Sequence, residues 1–235
     1  YDDEDYLLQI DSHMLFEQDW DTVLINQHKE LKKSVAKPII STYPYDFSFD
    51  DKGDVSYTKS SGKTVLVLRP HPQTILESDN AVLRFRALHK FTNEPVNGCH
   101  LAGGFIFTHA DFINEVPYDP YLYFHGEEQS LAIRAYTNGW DIYHPTHIPL
   151  YHCYKKPKSE HLSHHWHKSV DSQRVLSAAY LKQRAINRIN RLLYGDEMKG
   201  SIYGLGNIRT LDDYIKFSGI DYKNKTIKEI DPTLK

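Results

Sequence analysis

Tyr6-Leu7-Leu8-Gln9-Ile10-Asp11-Ser12-His13 is the stretch from which the fold is read. A short apolar run, entered from the acidic ramp Asp2-Asp3-Glu4-Asp5 and closed by a polar tripeptide, fits a buried strand with a polar carboxyl end. An Asp and a His two apart in extended chain point to the same side, so both can reach one ion. A carboxylate oxygen with an imidazole nitrogen suits a divalent cation such as Mn²⁺. Ligands of open α/β sheets bind beyond the carboxyl ends of strands, which is where Asp11 and His13 fall. On these residues alone a solvated loop is the competing reading.

Working outward, Trp20 to Lys33 carries Leu24, Ile25 and Leu31 at helical spacing and ends in lysines. Asp19 and Asp21 at its start read as capping acids. Pro38 to Thr42 is a second strand, leading to Tyr43-Pro44-Tyr45. Residues 46–63 are polar, with Gly53 and Gly62, and read as a surface excursion or hairpin. Strands are expected over Val65–Arg69 and Ala81–Leu88, around the Pro70/Pro72 break. Gly103-Gly104-Phe105-Ile106-Phe107 is a strand entered through two glycines, where backbone turns sharply or approaches something closely. A short helix is expected over Ala110–Glu115. An amphipathic one spans Glu127–Asn138, stopped by Gly139. Short strands follow at Trp140–Tyr143 and Pro149–Tyr154, then a long helix from Val170 to Leu193 and a small one near Leu211–Phe217. This alternation predicts an α/β fold.

The whole chain supports a globular reading. In 235 residues, 28 Lys and Arg against 31 Asp and Glu leave a net charge of −3, without the basic excess of bulk nucleic-acid binders. No apolar run approaches the roughly 20 residues of a membrane span. Cys99 and Cys153 are the only cysteines, too few for a disulfide scaffold, so a reducing, cytoplasmic setting is expected. The chain starts at Tyr1 rather than Met, and we expect it to begin inside a longer product.

Three further constellations carry chemistry. Gly126-Glu127-Glu128-Gln129 opens a helix after the aromatic segment Tyr121, Tyr123, Phe124 and His125. Its acids are either ordinary helix-start residues or carboxylates presented to a ligand. His152 lies in a short strand between Tyr151 and Cys153, where a packed core histidine is the usual finding. His161-Leu162-Ser163-His164-His165-Trp166-His167 has no cysteine at zinc-site spacing and reads as a polar loop, with a lid over a ligand as its functional version.

Taken together, these segments resemble the N-acetylglucosaminyltransferases that modify hydroxyproline in cytoplasmic proteins. The resemblance rests on Gln9 to Phe16 with Trp20-Asp21, Ala102-Gly103-Gly104-Phe105, Tyr123-Phe124-His125-Gly126-Glu127-Glu128 and Trp140 to Pro145. It continues through Tyr203-Gly204-Leu205-Gly206 and Arg209 to Asp221. The polypeptide N-acetylgalactosaminyltransferases are more distantly similar, sharing an Asp-x-His, a Gly-Gly strand, a Gly-Glu helix start and a later metal-binding His at the place of His152.

The resemblance implies a GT-A-like mixed sheet flanked by helices, a UDP-sugar donor, a protein or glycan acceptor and retention of configuration. Asp11, His13 and His152 would hold Mn²⁺. Ser12 would touch the donor ribose or phosphate, and Gly103 and Gly104 would let backbone approach the sugar. Glu127 would be the catalytic carboxylate, hydrogen-bonding the sugar or stabilising charge at its anomeric carbon. Phe124, His125 and Glu128 would line the donor and acceptor site, and Trp166 would belong to a closing loop. Residues 1–160 would form the catalytic core, with a lid and helical extension over 161–235. A GT-A fold normally has a nucleotide-binding βαβ portion before the Asp-x-His strand, and none precedes Tyr6 here. One side of the sheet is then expected to be uncovered. The competing functions are a transferase of another UDP-sugar and a non-catalytic nucleotide-sugar or carbohydrate-binding module.

Overall fold

The computed structural model describes residues 2–58, 62–154 and 165–228. In chain order these form β1 (Tyr6–Ile10), β2 (Met14–Phe16), α1 (Trp20–Leu31), β3 (Pro38–Ser41), β4 (Tyr45–Phe49), β5 (Val55–Tyr57), β6 (Thr64–Pro70) and β7 (Phe85–Phe91). Next come β8 (Val96–Gly98), β9 (Phe105–His109), α2 (Phe112–Glu115), α3 (Glu127–Thr137), β10 (Asp141–His144) and β11 (Leu150–His152). The described chain closes with α4 (Lys168–Asp171), α5 (Ala178–Leu193), α6 (Leu211–Ser218), β12 (Ile220–Asp221) and β13 (Thr226–Ile227).

The main sheet has five strands in the order β1-β9-β3-β10-β8, and a second has four in the order β2-β11-β4-β5. Both are mixed: β10 runs parallel to β3 and β11 parallel to β4, while their remaining pairings are antiparallel. This is the GT-A-like mixed α/β architecture. Alternation along the strands sorts the core into two layers. Ile39 and Ile106 face one side, packing with Leu131, Ala132 and Ala135 of α3 and Phe112 of α2. Ile40, Phe105 and Phe107 face the other side and pack with Leu24 of α1. A third cluster joins Ile133 of α3 to Ile189, Leu192 and Leu193 of α5 and Tyr214 of α6. At the edge of the main sheet, β1 has β9 as its one strand neighbour among the described residues.

Buried His144 ties three strands. Its Nδ1–H donates to the Ser41 carbonyl at 2.7 Å, and its Nε2 accepts the Leu68 N–H at 3.2 Å. Both bonds need a neutral ring, and burial holds the imidazole down at about 4. The absence of a side chain at Gly98 makes room for it, since a Cβ there would lie 2.1 Å from His144 Nε2.

The tail is stitched to the end of α3. Gly206 N–H donates to Thr137 Oγ1 at 2.8 Å, and the Ile208 and Arg209 amides donate to the Thr137 carbonyl at 3.0 and 3.1 Å. Arg209 also grips Asp141 through two bonds of 2.8 and 2.9 Å.

Several expectations are corrected. The long helix is broken into α4 and α5, because two capping side chains interrupt it. Ser177 Oγ accepts the Tyr180 N–H, and Asp171 accepts the Ala178 N–H at 2.6 Å. The strand expected at Ala81 begins only at Phe85. The amides of Ala81, Val82, Leu83 and Arg84 are taken by the side chains of Asn190, Asn80, Gln129 and Thr74 instead of by a ladder. Asp19 holds the N-cap position of α1, but with φ 58° and no side-chain cap; its carbonyl accepts the Val23 N–H. Residues 46–63 do contain a hairpin, β4 against β5. Within the described residues no helix is long and apolar enough to cross a membrane. His161 and His164 lie outside the described residues.

Candidate active site

The end of β1 places Asp11 and His13 beyond the carboxyl edge of the main sheet, and β11 brings in His152 from the second sheet. His152 is fixed opposite Met14 of β2, and the Cys153 N–H donates to the His13 carbonyl at 3.0 Å. Asp11 Oδ2 lies 2.9 Å from His152 Nε2, and the two imidazole centroids are 4.4 Å apart. One ligand atom from each of the three residues falls within 4.8 Å of the others. His152 is 8% exposed; its Nε2 is paired with Asp11, and its Nδ1 has no hydrogen-bond partner among the described residues. One carboxylate oxygen with two imidazole nitrogens is a donor set for a divalent first-row ion. The residues therefore fit one. Nearby His152 holds the Asp11 carboxyl below its ordinary range, outweighing burial.

A cavity of about 750 Å³ adjoins the cluster, lined among others by Asp11, Gly103, Gly104, Phe124, Glu127 and His152. The two glycines are explained by carboxylates. A Cβ on Gly103 would lie 2.6 Å from Glu127 Oε1, and one on Gly104 would lie 2.7 Å from Asp11 Oδ2.

The neighbouring glutamates differ sharply. Glu128 is tied down: its Oε1 accepts the Gly103 N–H at 2.6 Å, its Oε2 accepts from Tyr43 at 3.3 Å, and His100 Nε2 stands 3.6 Å away. Glu127 faces the cavity, and burial, with Glu128 and Asp11 adding repulsion, pushes its carboxyl up to about 7. A group raised so far by desolvation and like charge in a cleft is a functional candidate. The helix-start reading of Glu127 accounts for less, since a helix N-terminus would favour the ionised form.

The remaining expected residues spread around this centre. Phe124 lines the cavity, 58% exposed and held at φ 55°, a backbone region unusual for a bulky residue. Trp166 does not line the cavity; its ring packs at a tilt against Phe124, 4.8 Å between centroids, and against His165 at 4.6 Å. Ser12 is not on the cavity wall either; its Oγ lies 3.1 Å from His13 Nδ1, beside the cluster. His125 faces a neighbouring hollow of about 290 Å³.

Sequence reading missed Gln9, Tyr43, Tyr118 and Tyr154, all on the cavity wall. Gln9 Nε2 donates to the Gly103 carbonyl at 2.7 Å and to the Tyr118 hydroxyl, bracing the glycine turn. Gln9 shares the strand parity of Asp11, and Tyr43 and Tyr154 follow strand ends, so a signal existed for three of them. Burial first, then nearby carboxylates, pushes the hydroxyls of Tyr43, Tyr118 and Tyr154 up. They remain neutral polar groups for a bound molecule.

A family model described as glycosyltransferase (GlcNAc) matches residues 1–224. A search of curated proteins returns no match.

Proposed function

The chain belongs to the GlcNAc glycosyltransferase family, and on that premise we propose that it transfers GlcNAc from UDP-GlcNAc to a hydroxyl of a protein or glycan, with retention of configuration. The Asp11, His13 and His152 cluster carries this reading, because it gathers a cation donor set beside a polar cavity. These three residues would hold Mn²⁺, which when bound supplies positive charge to the departing nucleotide diphosphate.

The chain's own groups do the rest in this reading. Glu127 accepts a hydrogen bond from the sugar or offsets positive charge at the anomeric carbon, and its poor solvation makes a cationic neighbour favourable. Gly103 and Gly104 keep the approach free of side chains. Ser12 contacts the ribose or a phosphate. Glu128 sets the Gly103 turn, Phe124 forms a wall, and His125 belongs to the acceptor side. Trp166, packed against Phe124, covers the mouth and limits water that would hydrolyse the donor. We assign residues 1–160 to the catalytic core and 161–235 to the extension packed on it. A hydroxyproline, Ser or Thr acceptor follows from the resemblance of the motif segments. The free thiols of Cys99 and Cys153 suit a cytoplasmic enzyme.

The test is UDP release from UDP-GlcNAc. Release should require Mn²⁺, stop with EDTA and be lost in Asp11→Ala. UDP affinity indifferent to both Mn²⁺ and Asp11→Ala would remove the ion assignment. A donor that binds but is never cleaved would leave a binding module. Faster turnover of another UDP-sugar would change the named donor.

A further inference from the structure

We propose that Asp46 is a positioning residue for the cation site, accepting the Nδ1–H of His152 once His152 Nε2 holds the ion. The inference rests on Asp11, His13 and His152 being the cation ligands and adds the group that stands behind one of them.

Strand pairing puts the two side chains together. β11 runs parallel to β4, and His152 stands in register with Asp46, as Tyr151 does with Tyr45. Paired residues of neighbouring strands project from the same face of a sheet, with backbones about 4.8 Å apart. The other parity shows the alternation: the Tyr151 ring meets that of Tyr57 in β5, which pairs with Phe47 of β4. Asp46 and His152 share the opposite face, with Met14 of β2 on the far side of His152. Tyr154, whose ring lies 4.1 Å from that of His152, senses both acids: burial first, then Asp11 and Asp46, push its hydroxyl up.

The two groups are chemically complementary. His152 Nε2 faces Asp11 at 2.9 Å, on the side of the ion. An imidazole that gives Nε2 to a metal is neutral, so its proton sits on Nδ1 and calls for an acceptor. His152 Nδ1 is buried without a hydrogen-bond partner among the described residues, and so is Asp46 Oδ1. Buried polar atoms are rarely left in that state. One brings a proton and the other a lone pair, and rotation of the two side chains joins them. Asp46 is not itself in the ligand set, since among the described residues the atoms lying within 4.8 Å of one another belong to Asp11, His13 and His152. A carboxylate behind a ligating histidine fixes its tautomer and ring orientation and raises its basicity.

The test is the Mn²⁺ affinity of the whole chain, read by isothermal titration. Asp46→Ala should weaken binding about 10–100-fold, the usual loss for such an outer partner. Asp46→Asn keeps an amide oxygen able to accept the same proton, and should recover most of the loss. With diamagnetic Zn²⁺ in place of Mn²⁺, ¹⁵N-edited proton NMR should show the His152 Nδ1 proton shifted downfield by a charged acceptor. Unchanged affinity in Asp46→Ala would overturn the proposal. So would an Asp46→Asn loss as large as that of Asp46→Ala, which would make Asp46 a ligand or a bulk charge. A Nδ1 proton at the shift of an unbonded imidazole would overturn it even where Asp46→Ala does not fold. Wild type that binds no Mn²⁺ removes the ion assignment and the role of Asp46 with it, whereas wild-type binding that ignores Asp46 removes the role alone. Mn²⁺ binding that depends on Asp46, without UDP release from UDP-GlcNAc, leaves the role standing and removes the transferase.

Discussion

At the scale of single residues, Glu127 and Glu128 show how neighbours in sequence take unlike roles. Glu128 is consumed by the Gly103 amide and Tyr43, whereas Glu127 is left poorly solvated in the cavity. Glu127→Gln keeps the shape and removes the charge. We expect turnover to fall at least about 100-fold, in the range of a lost catalytic carboxylate, with UDP affinity in Mn²⁺ held within about threefold. Full activity would return Glu127 to a helix-start role. Gly104→Ala is expected to weaken Mn²⁺ binding about tenfold, because the new methyl meets the Asp11 carboxylate at 2.7 Å; isothermal titration with Mn²⁺ reads this directly. Asp11 and His13 were legible from their spacing. The place of His152 came only from the resemblance, since a histidine inside a strand reads as core until a second sheet brings it to Asp11. Tyr118 was illegible for a similar reason, because it reaches the cavity through a tertiary contact with Gln9.

At the scale of elements, His144 makes the sheet sensitive to acid. Its folded value of about 4 lies below the ordinary 6.5, so the unfolded chain takes up a proton that the fold excludes. Stability is complete above about pH 6.5 and falls as pH descends toward 4, by up to about 3 kcal/mol for a shift of this size. His28 is likewise depressed to about 4, chiefly by burial, and loses stability in the same direction. Glu127 opposes them: a carboxyl raised to about 7 from 4.5 makes the fold more stable as pH falls through that range. Urea unfolding should therefore be followed in the Glu127→Gln background, where a decline between pH 6.5 and 4.5 is expected; a flat profile would contradict buried neutral imidazoles. Gly98→Ala should destabilise in the same place, by about 1–3 kcal/mol of overpacking against His144. Long periodic elements such as α1 and α3 were readable from sequence. The three-residue strands β2 and β8 were not, because so short a run carries no period and is stabilised by its partners. The break between α4 and α5 was missed because apolar spacing continues across it while the caps act locally.

At the scale of the whole molecule, residues 206–209 are fixed to the end of α3 and the start of β10 by specific polar contacts, beside the apolar cluster that joins α3 to α5 and α6. Arg209 forks onto Asp141, and its guanidinium lies 4.6 Å from the Tyr136 ring. Arg209→Ala should cost about 2 kcal/mol and lower Tm by about 4–8 °C in a thermal melt. Arg209→Lys should recover little of this, because an ammonium cannot reproduce the planar fork. Mixed α/β class was legible in the strand and helix alternation, whereas pairing order and the third core cluster were not, since they depend on contacts far apart in the chain. The stitching of residues 206–209 to Thr137 gives α3 a mechanical meaning. Glu127 stands at one end of this helix and the tail grips the other, about 15 Å away at 1.5 Å per residue. The same helix therefore carries the carboxylate at its start and the anchor of residues 206–209 at its end. If the anchor sets where the carboxylate sits, Arg209→Ala should slow UDP release from UDP-GlcNAc more than it weakens UDP affinity, and equal losses in both would make the anchor a matter of stability alone.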